Sequence, residues 1–165
     1  DEMTREEKFM RAALRCARKG LKEGEVPIGA VVVYEDKVVS RGYNRRAKTQ
    51  LASAHAEMMA IDKACRKFSS WRLPEGCELY VTLEPCPMCA GAIINARIPR
   101  VVYGASDRKF GACQSVCSLF QMGFNHHPTV EGGVMEEESA ALMQTFFQNL
   151  RAELHTRPKW KKPEV

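Results

Sequence analysis

A strand-like run, Cys77–Leu83 (CELYVTL), passes almost directly into Pro85-Cys86-Pro87-Met88-Cys89, and that turn opens a helix. The strand is rich in apolar and β-branched residues and follows the turn signal Pro74-Glu75-Gly76. Pro87 suits the first helical turn, where its missing N–H removes no hydrogen bond, and the helix is expected to run to about Ala96. Arg100–Ala105 (RVVYGA) reads as the next strand. Such alternation of strand and helix places the chain in the α/β class.

The remaining elements fit that class. Thr4 with Glu7 three residues later is a capping box, and Met10, Ala13, Ala17 and Leu21 repeat near helical period. Val26–Tyr34, the turn Glu35-Asp36-Lys37 and the run VVSRGYN predict a hairpin. Arg45–Ser53 reads as a polar loop and Ala54–Phe68 as a helix. Thr129–Val134 is a candidate last strand, and Glu136, Glu137 and Glu138 suit the start of a final helix that reaches about Leu154. The order αββαβαβ(β)α predicts one three-layer α/β/α domain over residues 1–156, followed by a basic, flexible tail at 157–165. A length of 165 residues agrees with one domain.

Charge and cysteine usage narrow the function classes. The first twenty residues hold no apolar signal core, and the uncharged stretch Phe110–Val130 carries too many polar groups for a membrane span. The expectation is a cytoplasmic protein with no membrane partner. In that compartment seven cysteines read as packing residues, metal ligands or catalytic thiols, not as a disulfide framework. The net charge of +5 lies within residues 1–100 and permits a polyanionic partner without requiring one.

Two motifs carry chemistry: His55-Ala56-Glu57 at the start of the second helix, and Pro85-Cys86-Pro87-Met88-Cys89 at the start of the third. A helix N-terminus favours thiolate over thiol, and cysteines three apart in one turn can present both sulfurs on one side. His55, Cys86 and Cys89 make three ligands, which leaves a fourth tetrahedral position open, as catalytic zinc requires. Thiolate with imidazole suits Zn2+, although iron also accepts such donors. Glu57, two residues past the histidine, is placed to take a proton from water and hand it to a substrate nitrogen. His-x-Glu followed by Pro-Cys-x-x-Cys is the signature of zinc nucleobase deaminases.

The runs SAHAEMMAI (Ser53–Ile61), YVTLEPCPMCAGAIINARI (Tyr80–Ile98) and VVYGASDRKFGA (Val101–Ala112), with VPIGAVVV and RGYN (Arg41–Asn44), resemble the bacterial tRNA-specific adenosine deaminases over most of residues 5–150. The resemblance implies the cytidine-deaminase-like fold, a five-stranded mixed sheet sandwiched by helices, as a homodimer with one Zn2+ per chain. It also implies inosine formation at the wobble position of a tRNA anticodon. Residue by residue, His55, Cys86 and Cys89 resemble the zinc ligands and Glu57 the proton shuttle. Asn44 is similar to the asparagine that hydrogen-bonds the flipped base, and the backbone N–H of Ala56 is expected to face that base. Asp107 and Lys109 match positions that touch flanking anticodon nucleotides. Asn125 resembles another nucleotide-contacting asparagine, and Phe147 an aromatic that lines the site.

Other readings compete for the same residues. Cys-Pro-Met-Cys after a strand also describes a thioredoxin-type redox motif. A structural zinc site would need a fourth ligand from Cys77, Cys113, Cys117 or His126. Cys113 and Cys117 read as a second metal pair or as packing, and Cys16 and Cys65 as core. Met58, Met59 and Met143 read as packing. Lys159, Trp160, Lys161 and Lys162 suit either RNA stacking or a solubilising end, while Arg45 and Arg46 flank Asn44 at the expected rim of the site. For function, deamination of a free base or nucleoside of the guanine or cytidine type stands beside the tRNA reading. A non-catalytic zinc-containing RNA-binding module is the third possibility.

Overall fold

A computed structural model of the chain describes residues 2–154, 156 and 160–164. In chain order the elements are α1 (Arg5–Lys22), β1 (Gly29–Tyr34), β2 (Lys37–Tyr43), α2 (Arg46–Thr49), α3 (Ala56–Phe68), β3 (Glu78–Leu83), α4 (Pro87–Asn95), β4 (Arg100–Ala105), a 3-10 turn at Leu119–Gln121, β5 (Thr129–Glu131) and α5 (Glu136–Glu153). The strands form one sheet in the order β2-β1-β3-β4-β5. β2, β1 and β3 pair antiparallel, whereas β3, β4 and β5 pair parallel, so the sheet is mixed.

Alternation along the central strands sets the layers. Ala30 and Val32 of β1, Leu79 and Val81 of β3, and Val101 and Tyr103 of β4 face one side, all buried. Val31, Val33, Tyr80 and Val102 face the other, equally buried. Strands hidden on both faces need helices on both. Phe9, Met10, Ala13 and Leu14 of α1, with Leu142 of α5, cover the second face. Ala60, Ile61 and Ala64 of α3, with Ala90 and Ile93 of α4, cover the first. The three-layer α/β/α arrangement with a five-stranded mixed sheet is therefore as expected.

Local signals held where their partners are local. The Thr4 hydroxyl accepts from Glu7 N at 3.1 Å and caps α1. Three boundaries differ from the sequence reading. The first strand starts at Gly29, not Val26, because Pro27 has no N–H to give a ladder and Val26 instead turns the chain through its bond from Ile28 N (2.8 Å). The segment Arg45–Ser53, read as loop, contains α2, whose Ala47 and Lys48 amides are held by the buried Glu25 carboxylate at 3.0 and 2.9 Å. The last strand is only Thr129–Glu131. Gly132 packs under the Tyr103 ring and Gly133 takes a left-handed φ of 87°, which turns the chain off the sheet. Of the expected tail, Arg157, Pro158, Lys159 and Val165 lie outside the described residues, and Trp160–Glu164 are exposed.

The two ends of the sheet differ in character. At the start of β3 and β4, Glu78 receives Arg5, Arg100 and the Tyr80 hydroxyl, and Arg100 also reaches Glu131 at 2.9 Å. Against the upward push of burial, the two guanidinium groups hold the Glu78 carboxyl below its ordinary range. The opposite end, beyond Leu83 and Ala105, is where ligands bind in open α/β sheets.

Edge strand β2 lies under α3. Lys63 Nζ donates to Arg41 O at 3.0 Å, and Lys67 Nζ lies 3.5 Å from Val39 O. On the face towards α3, the buried Ser40 hydroxyl donates to Ala60 O at 2.7 Å. A Cβ on Gly42 would collide with Ala56 O and stand 2.7 Å from Ala60 N. Gly42→Ala is thus expected to push the first turns of α3 off the sheet and to cost about 1–3 kcal/mol, the usual range for overpacking. A urea midpoint lowered at unchanged m-value checks it. Among the described residues no helix is long and apolar enough to cross a membrane.

Candidate active site

Both chemical motifs begin a helix. His55 is the N-cap of α3 and Cys86 the N-cap of α4, each with extended backbone (φ −83° and −75°). N-caps are usually Ser, Thr, Asp or Asn, whose side chains bond back to the helix. Neither His55 nor Cys86 does so. Their side chains turn towards each other instead, and Cys89, in the first turn of α4, completes the group. The hairpin and loop upstream fix this approach: Arg45 N donates to Ala54 O at 2.9 Å, which closes the loop just before His55.

His55 Nδ1 lies 3.6 Å from the sulfur of Cys86 and 3.6 Å from that of Cys89, and the three donor atoms lie within 4.8 Å of one another. Nitrogen and sulfur at ordinary zinc bond lengths with a tetrahedral angle stand about 3.6 Å apart. The donor set therefore fits a zinc ion. Among the described residues this is the one group of three or more His, Cys, Asp or Glu side chains with metal-holding geometry. Cys77 and Cys113 are buried in the core and Cys117 packs against it, while His126 Nε2 is 2.7 Å from Ile98 O, so none stands as a fourth ligand. Cys113 and Cys117 behave as packing residues.

The electrostatics follow from close packing of acids. A hydrogen bond from Cys89 and the neighbouring His55 hold the Cys86 thiol down to about 4, while sharing with Cys86 and burial push the Cys89 thiol up. The bond to Cys86 raises His55. Burial pushes the Glu57 carboxyl up to about 7, against the pull of its own backbone N–H. Glu57 sits in the first turn of α3, 4% exposed, beside the ligands but outside their set. A carboxyl balanced near neutral pH can both accept and donate a proton.

A cavity of about 1040 Å³ opens over this group at the ends of β3 and β4. His55, Glu57 and Cys86 line it, as do Asp107, Lys109 and Phe147. Asn44, 2% exposed, lines an adjoining cavity of about 360 Å³ that shares Val26, Arg46 and Phe146 with the first. Ala56 is buried as the first residue of α3. Arg46 lines both cavities, and the Arg45 guanidinium stacks 5.7 Å from the Tyr43 ring centre. Met143, read as packing, also lines the main cavity.

Asn125 is not brought to this group. It is exposed and lines neither cavity. The adjacent His126 is tied to Ile98 O, which precedes β4, so the segment is anchored at the end of the strand away from the site.

Two further acids line the cavities without a motif to mark them in the sequence. Glu84 lines the main cavity, 2% exposed, and Glu25 lines the smaller one. The one signal was position: Glu84 is an acid between a buried strand and a ligand-bearing turn. Its partners, at Asp107 and Cys113–Ser115, are 23 to 31 residues away and leave no local trace.

Comparison with known proteins agrees with the site. Residues 3–105 match the family described as the cytidine and deoxycytidylate deaminase zinc-binding region. The tRNA-specific adenosine deaminase of Bacillus subtilis (strain 168) is 47% identical over 150 residues, covering 90% of this chain and 92% of that one. A structure from a study of A-to-I editing by tRNA:A34 deaminases at the wobble position superposes with a TM-score of 0.79 at 46% identity, covering 82% of this chain and 98% of the other. A guanine deaminase from Nitrosomonas europaea superposes at 0.70 with 24% identity, covering 85% and 83%, and so shares the fold alone. With identity at that level along nine-tenths of both chains, and with donors spaced for the zinc that the family binds, the chain belongs to the tRNA-specific adenosine deaminases of the cytidine and deoxycytidylate deaminase family.

Proposed function

We propose that the protein converts adenosine to inosine by hydrolysis at the wobble position of a tRNA anticodon. The observation that carries the reading is the tetrahedral spacing of His55, Cys86 and Cys89 beside a buried Glu57, at a cavity of about 1040 Å³. Zinc held by the three ligands supplies the Lewis acidity that lets water attack near neutral pH. Glu57 accepts a proton as the oxygen bonds to C6 of adenine and delivers it to N1. It then takes the remaining proton from the hydroxyl on C6 and passes it to the amino group, so that the C6–N bond breaks, ammonia leaves and the C6 carbonyl forms. Its buried place in the first turn of α3, beside the ligands but outside their set, suits both transfers.

The base must leave its stack to reach this depth. Asn44 holds the extruded base by its side-chain amide and the Ala56 N–H faces the same base. Asp107 and Lys109 contact the flanking nucleotides, and Phe147 packs at the mouth. The +5 charge supports a polyanionic substrate. The same reading includes one catalytic domain over residues 1–156, a homodimer and a cytoplasmic location.

Incubation of zinc-loaded protein with an anticodon stem-loop bearing A at the wobble position is expected to yield inosine. Free adenosine, guanine and cytosine should turn over at negligible rates, since they lack the flanking contacts. Absence of inosine, or faster turnover of a free base, overturns the reading.

A further inference from the structure

Glu84 is a buried carboxylate that the proposed chemistry does not use. Oε1 accepts from Asp107 N at 3.1 Å and from the Ser115 hydroxyl. Oε2 accepts from three successive amides, Cys113 (3.2 Å), Gln114 (2.9 Å) and Ser115 (2.9 Å). Among the described residues no cation pairs with it. A buried charge is costly unless it is hydrogen-bonded, and here N–H and O–H groups of one loop surround the carboxylate with donors. A Cβ on Gly111 would collide with the Glu84 carboxylate and stand 2.5 Å from Asp107 O, so only glycine lets the loop close over it.

The loop so gathered is one wall of the main cavity. Within it the Asp107 carboxylate accepts from Lys109 N (3.0 Å) and Phe110 N (3.1 Å), which fixes the turn that carries these side chains into the cavity lining. At its other side Ala112 N donates to Pro85 O at 2.9 Å. Glu84 and Pro85 lie between the end of β3 and the ligand Cys86. One carboxylate thus ties the wall to the turn that holds the metal.

We infer that Glu84 is a positioning residue, which holds the loop at 106–115 as a preformed wall against which the RNA beside the target nucleotide binds. The inference rests on the reading of this cavity as an RNA site. Order set in advance lowers the cost of binding, so loss of the clamp acts on affinity and leaves the reacting groups in place.

Two variants test it on the zinc-loaded protein with the stem-loop substrate. Glu84→Gln points an amide NH2 at donors that need an acceptor. Gly111→Ala pushes the loop off the carboxylate from the other side, far along the chain from the ligands. Each is expected to raise KM about 10- to 100-fold while kcat per zinc stays within about threefold, the signature of lost binding common to ground and transition states. Amide exchange at Cys113, Gln114 and Ser115 should quicken, while that of α3 stays as in the unmodified protein. Unchanged KM in folded, zinc-replete Gly111→Ala overturns the inference, as does unchanged exchange at the three amides. Should the unmodified protein form no inosine, the functional reading fails, and the exchange measurement still decides whether Glu84 clamps the loop.

Discussion

Glu57→Ala is expected to fold, to keep one zinc per chain and to lose about 10²–10⁴-fold in kcat on the stem-loop, the span that a positioned acid–base group contributes. The metal stays because the three donors that meet at tetrahedral spacing are His55, Cys86 and Cys89. Turnover falls because the only described acid in the first turn of α3 is the one removed. Stability should not fall, since the carboxylate is 4% exposed and its burial opposes its charge. Glu57→Gln separates proton transfer from cavity shape: it keeps the volume and should show the same loss. Metal analysis and single-turnover kinetics on the same preparation measure both quantities. A variant with full kcat would remove Glu57 from the mechanism.

Cys89→Ala is expected to lose the metal and, with it, all turnover above background. Cys89 is fully buried in the first turn of α4, and its loss leaves His55 and Cys86 as a two-donor site. Metal binding is also folding free energy, because the unfolded chain has no preformed site. At a thousandfold excess over Kd a ligand adds about 4 kcal/mol, so the variant should melt at a lower temperature than the zinc-loaded protein. A chelator should bring the unmodified protein down towards the same Tm, and added zinc should restore that protein alone. Since His55 and Cys86 leave their own helices uncapped, the first turns of α3 and α4 should lose amide protection before the sheet does. Retention of stoichiometric zinc by Cys89→Ala would exclude it from the ligand set.

These two results concern residues that were legible in the sequence, and the reason is geometric. His55, Glu57, Cys86 and Cys89 sit in the first turns of two helices, and helix starts announce themselves through proline, period and polarity. The buried strands showed themselves in the same way, as short apolar runs between turn residues. What stayed hidden depends on partners distant in sequence. α2 exists because Glu25 reaches Ala47 and Lys48, and Arg45–Ser53 alone has no feature that predicts it. β5 ends early because the Tyr103 ring occupies the space beside Gly132. Asn125 looked like a contact residue by resemblance, yet the anchoring of His126 and His127 to Ile98 O and Phe120 O turns its segment away from the cavity. Glu84 has no local signal for the converse reason, since its five bonds are all made to a loop more than twenty residues downstream.

The lysines that α3 lays along β2 bear on whether the sheet can be extended. An open sheet invites a neighbour to extend its ladder from either flank. Here one flank has Lys63 and Lys67 set against the outward carbonyls, and the other is a strand of three residues. β5 leaves little ladder to extend, and a strand added beside β2 would have to displace both lysines. Growth into a continuous cross-chain sheet is therefore disfavoured at both flanks.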